Sequence, residues 1–73
     1  MDIHAKMKVC LKGWCTDMDL WMEMRSRFDY DGSPLTLSRE RRKLAAKGAL
    51  ESRPLINSHG VKYKQFRAIK EKG

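Results

Sequence analysis

Four cations stand within five residues of one another, Arg39, Arg41, Arg42 and Lys43, inside the stretch TLSRERRKLAAKGALESR that runs from Thr36 to Arg53. Their chemistry is that of polyanion recognition. Each offers a positive charge and several N–H donors, which match phosphate and carbonyl-type acceptors. At about 100° per residue, Leu37, Leu44 and Ala45 point to one side of a helix. Arg39, Arg42, Lys43 and Ala46 point to the other. Gly48 falls where a helix usually stops, since glycine takes the left-handed conformation at no steric cost. Lys47 beside it suits the negative end of the helix dipole. Leu50 to Arg53 then resumes as an extended segment. A short helix with one anchored face and one cationic face has the shape to lie in a groove of DNA.

Other chemistries find little to work with. The sequence holds no Ser/His/Asp set, no paired carboxylates in an apolar setting and no glycine-rich phosphate loop, so an enzyme is not expected. Cys10 and Cys15 are too few for a disulfide framework and lack the partners of a zinc site. His4 and His59 share no ligand spacing. Two reduced thiols in a cytoplasmic protein, with no metal and no cofactor, are the expectation. Cys15 beside Trp14 reads as a small buried residue.

The whole chain sets the scale. Its 73 residues make one small domain (1–73), near the lower limit for a self-sufficient core. No apolar run exceeds three residues, which excludes a signal peptide or membrane span. The net charge is +7, and its distribution says more: residues 1–35 carry −1 and residues 36–73 carry +8. A near-neutral half followed by a strongly basic one suggests a structural base bearing a polyanion-binding surface.

The elements that must position the cations follow in order. Residues 2–13 fit two patterns. Ile3, Met7, Cys10, Leu11 and Trp14 share a helical face, while Met7, Val9 and Leu11 alternate with lysines as in a strand. The helical stripe is longer and favours a helix that Gly13 ends, with Trp14 and Cys15 as a very short strand. Thr16 caps a second helix over 17–28, with Asp19 closing an approximate capping box. Leu20, Trp21, Met24 and Phe28 form its core stripe, with Met18 and Met22 partly exposed. DYDGSP (29–34) is a turn. Thr36 or Ser38 caps a third helix over 36–47. Strands over 49–56 and 61–69 flank an Asn57–Gly60 turn, Pro54 marking an edge. Strict alternation puts Phe66 opposite Tyr63, so a bulge near Gln65 is one option. Residues 70–73 read as a frayed tail.

The order of elements, with Thr16-Asp17-Met18-Asp19-Leu20 opening the second helix and Leu44-Ala45-Ala46-Lys47-Gly48-Ala49-Leu50 closing the third, resembles the winged helix-turn-helix domains of bacterial and phage transcription regulators. The resemblance covers nearly the whole chain. It implies an α+β fold of three helices, a short first strand and a C-terminal β-hairpin wing. It also implies a sequence-specific double-stranded DNA-binding protein, a small transcriptional regulator or a phage or mobile-element factor. Helix 36–47 would enter the major groove and the 57–60 wing would lie on flanking backbone or minor groove. Arg39, Arg42 and Lys43 would then meet base edges or phosphates, arginine's planar fork matching two guanine acceptors at once. Thr36 and Ser38 would bond phosphates near the helix start. Lys47 would lie at the helix end, and Arg53, Lys62 and Lys64 would flank the wing. His59 at the tip either inserts there or is an exposed turn residue without a role. Arg41 falls where that family carries an apolar residue. It projects near the centre of the core-facing stripe, so its stem should be buried and its head should reach solvent or a partner. The alternative is a protein-interaction module whose basic face meets an acidic partner. RNA binding is less favoured, because Tyr30, Tyr63 and Phe66 are few and scattered. Monomer and homodimer both remain open.

Overall fold

Each helix opens on a side chain that accepts from its own first turn. In the computed structural model, which describes residues 1–69, α1 spans Ile3–Cys10, α2 Asp17–Phe28 and α3 Pro34–Ala46. Asp2 caps α1 by accepting from the Ala5 amide at 2.8 Å. Thr16 caps α2 with a complete capping box: its hydroxyl accepts from the Asp19 amide at 3.1 Å, and the Asp19 carboxylate accepts from the Thr16 amide at 3.0 Å. Ser33, not Thr36 or Ser38, caps α3 by accepting from the Thr36 amide at 3.1 Å. The helix begins two residues earlier than the turn chemistry of DYDGSP suggests because Pro34 sits in the first turn. There its fixed φ suits a helix and its missing N–H costs nothing.

The ends have equally local causes. α3 stops in a Schellman turn: Gly48 has φ +76°, its amide donates to Ala45 O, and the Ala49 amide donates to Leu44 O. Lys47 is therefore the cap residue and not the last helical one. α1 ends at Cys10, short of Gly13, because Leu11 O accepts from the Ala68 amide at 2.8 Å. That bond draws the chain off the helix and toward the sheet.

The sheet is a hairpin of β1 (Leu50–Ile56) and β2 (Lys62–Ala68), antiparallel with Leu50 opposite Ala68 and Ile56 opposite Lys62. The pairing is continuous, so no bulge occurs near Gln65, and Tyr63 and Phe66 do lie on opposite faces. Ala49 and Ile69, expected inside the strands, add one further bond at the base (Ile69 N to Ala49 O, 3.0 Å). Cys15 pairs with Phe66 through two backbone bonds, which makes a single bridge and not a strand of two residues. The tail expected at 70–73 lies outside the described residues.

Three helices followed by a two-stranded hairpin thus form an α+β fold. Its core draws Met7, Cys10 and Leu11 from the end of α1, Leu20 and Met24 from α2, Leu37 and Leu44 from α3, and Phe66 from β2. Ala45, expected on the inner side of α3, is exposed. The inner stripe is Leu37, Arg41 and Leu44, with spacings of four and three. Cys10 and Cys15 are free thiols, the first buried and the second half-buried, and burial pushes both above the ordinary cysteine range. No helix among the described residues is long and apolar enough to cross a membrane.

This phase of α3 has a measurable consequence. Leu44→Ala should lower unfolding free energy by about 2–5 kcal/mol in a denaturant titration. Ala45→Ser, one residue on, should change it by no more than about 0.5 kcal/mol.

Candidate nucleic-acid interface

With Leu37, Arg41 and Leu44 turned inward, α3 presents Leu35, Arg39, Arg42 and Ala46 on its outer side, all exposed. Their spacing of four, three and four residues keeps them in one stripe roughly 16 Å long at about 1.5 Å per residue. Among the described residues, Arg39 and Arg42 make no ion pair, hydrogen bond or ring contact. Their guanidinium groups are exposed, with no donor used by any described residue.

Lys43 of α3 and its cap residue Lys47 are held differently. Lys43 donates to Glu40 at 3.3 Å, and Glu40 in turn lies 3.3 Å from His4 Nε2 on α1. The Lys47 ammonium lies 3.0 Å from His4 Nδ1. An ammonium has only protons to give, so Nδ1 must accept and Nε2 keeps the proton that it donates to Glu40. The flank of α3 carrying Glu40, Lys43 and Lys47 therefore leans on α1, while the Arg39/Arg42 stripe does not. Lys43 first, then His4, hold the Glu40 carboxyl below its ordinary value. Thr36 is exposed, and its hydroxyl shares a 3.0 Å bond with Ser33. Ser38 is half-buried in the second turn, away from the helix start where a phosphate contact was expected.

The hairpin divides its cations between two faces. Lys62 and Lys64 share the face of Phe66, since side chains alternate along a strand. That is the face turned to α3, because the Arg41 guanidinium lies 3.8 Å over the Phe66 ring. Arg53 projects from the opposite face. Its guanidinium lies 4.5 Å over Trp14 and donates twice to Gln65 Oε1, at 2.8 and 2.6 Å. Arg67 lies 4.4 Å over the same indole and is paired with Glu51. Arg53 is thus separated from Lys62 and Lys64, with which the sequence grouped it. His59 is exposed in the turn, its amide donating to Asn57 Oδ1 at 2.8 Å.

Sequence reasoning missed Leu35 and the Trp14 platform. Leu35 follows from starting α3 at Pro34, four residues before Arg39. The platform follows from strand alternation, which puts Glu51, Arg53, Gln65 and Arg67 together, but nothing local says that Trp14 covers them. No three His, Cys, Asp or Glu side chains among the described residues gather as metal ligands. Comparison of the chain with known protein families, curated proteins and solved structures found no match.

The α1 flank can be read by titration. Glu40 should titrate below the ordinary value of 4.5 in a carboxyl-detected NMR experiment. Lys43→Met should move it upward, and His4→Ala should move it upward by less. Because the folded value is depressed, the pairing contributes above that range and is lost as pH falls through it.

Proposed function

We propose that this chain is a sequence-specific double-stranded DNA-binding protein of the winged helix-turn-helix type, with α3 as the helix that enters the major groove. The observation that carries the reading is the pair Arg39 and Arg42. Both are exposed on the outer stripe of a helix whose inner stripe is anchored, and among the described residues both lack an intrachain partner. Each can present its planar fork to guanine O6 and N7, or to a phosphate. Leu35 and Ala46, at the two ends of the stripe, are small or apolar enough to lie against thymine methyl groups. Thr36 and Lys43 border the stripe and suit the sugar-phosphate backbone, which fixes register without reading sequence. Lys62 and Lys64 extend the same cationic side onto the hairpin, as a wing would.

The same cations would also meet an acidic protein surface. Duplex DNA separates the two readings through salt. Neutralising several phosphates releases counterions, so affinity should fall steeply and linearly on a log–log plot against salt. An acidic-protein module would leave duplex DNA nearly unbound. RNA recognition would need bases stacked on exposed aromatic rings, and the α3 stripe carries none. The reading covers a transcriptional regulator and a phage or mobile-element factor alike.

Selection of bound sequences from a random duplex pool tests it. A recurrent motif is the expected result, and an inverted repeat within it would mean that two copies bind. On that motif Arg42→Ala should weaken binding by about 1–3 kcal/mol and relax preference at one position. A pool that returns no enriched sequence, or an Arg42→Ala variant of unchanged affinity, would remove sequence reading by this helix.

A further inference from the structure

The hairpin tip carries more apolar surface than its fold requires. Ile56 and Val61, the residues on either side of the Asn57–Gly60 turn, are 65% and 57% exposed, and neither packs on the core. Tyr63, also outside the core, is 37% exposed. The tip is also stiff. Asn57 Oδ1 accepts from the amides of His59 and Val61 at 2.8 and 3.0 Å. The Asn57 amide donates to Val61 O, and the Gly60 amide donates to Asn57 O, both at 3.0 Å. Gly60 supplies the left-handed residue that the turn needs, with φ +78°.

The charges beside this tip are of one sign. Lys62 pairs with Ile56 and Lys64 with Pro54, so both lysines share the Ile56 face. The nearest hairpin carboxylate, Glu51, lies at the base and is tied to Arg67. Neither outer edge near the tip invites another strand. Hydrogen-bonded pairs fall at odd residues, as the Phe66–Cys15 bonds on the far side require. Even residues therefore face outward: on β1 that edge includes Pro54, which has no N–H, and on β2 it carries Lys62 and Lys64. A narrow, rigid, apolar-tipped ribbon with cations and no carboxylate beside it matches the minor groove. Proteins that bind there insert apolar side chains between base steps and kink the duplex.

We propose that the tip is a minor-groove wedge. Ile56, on the same face as Lys62 and Lys64, enters a base step next to the site held by α3, Val61 on the reverse face of the ribbon lies against the groove wall, the two lysines neutralise the phosphates beside it, and the duplex bends. This rests on the reading of α3 as the DNA-binding helix. The step entered should be a pyrimidine–purine one, since those unstack at least cost.

Energy transfer across an end-labelled duplex carrying the selected motif, at saturating protein, tests the wedge. The intact chain should bend the duplex by about 20–90°. The double variant Ile56→Thr/Val61→Thr keeps the β-branched shapes and touches no core residue, so it should fold and bind with most of the bend lost. A duplex bound but left straight by the intact chain, or bent equally by the double variant, overturns the wedge and leaves the α3 reading standing. An intact chain that binds no duplex overturns both. Self-association that the double variant abolishes, on unbent DNA, assigns the tip to protein contact and overturns the wedge.

Discussion

One arginine holds the arrangement together. Arg41 occupies the inner stripe of α3 between Leu37 and Leu44, with its side chain only 11% exposed. Its guanidinium carbon lies 3.8 Å from the centroid of the Phe66 ring of β2, and it donates from Nε and Nη2 to both oxygens of Asp17, at 2.5 and 3.1 Å. Asp17 is the first residue of α2. A single planar cation therefore fixes the start of α2, the phase of α3 and the seat of the hairpin. An apolar pair would fill the space with less desolvation. What the charged pair adds is direction, because its bidentate contact and its stacking are satisfied together in one geometry. Lysine could not replace it, having no plane to stack and no fork to match a carboxylate.

The consequence for the surface is a division of labour among cations. The second half of the chain carries +8, yet much of that charge is spent within the protein. Arg41 is bound to Asp17, Arg53 and Arg67 lie on Trp14, and Lys43 and Lys47 lean on the Glu40–His4 pair. All of these contacts except Lys43–Glu40, which lies within α3, join one element to another. Among the described residues, Arg39 and Arg42 are left over on the outer stripe of α3, as Lys62 and Lys64 are on the hairpin face toward it. The proposed DNA contact uses these leftover charges. Net charge supports long-range attraction to a polyanion, but the partition between tethered and untethered cations decides where a ligand could be gripped.

Much of the fold was legible because its signals are local. Thr16 and Asp19 announce the α2 capping box within three residues of one another, and Gly48 announces the Schellman turn. Pro54 marks an edge, and among the described residues β1 pairs on one side only. The buried stem of Arg41 could be read from helical phase, whereas its partners could not. The failures are those that local pattern cannot resolve. Ser33-Pro34 has the chemistry of a turn and of a helix start alike, and the turn reading hid Leu35. The end of α1 is set by Ala68, almost sixty residues downstream, so Gly13 was a natural but mistaken terminator. Trp14 meets its arginines beside the bridge between Cys15 and Phe66, a pairing of residues far apart in the chain that no local pattern announces.

The central claim is that the outer stripe of α3 and the lysine face of the hairpin form one continuous duplex-binding side. Amide shift mapping of the labelled protein titrated with its selected duplex tests this most directly. The largest changes should fall at Leu35, Thr36, Arg39, Arg42, Lys43 and Ala46, together with Lys62 and Lys64, with little change along the outer face of α2 at Met18, Met22 and Ser26. Changes centred on α2, or no change on α3 at low salt, would contradict it.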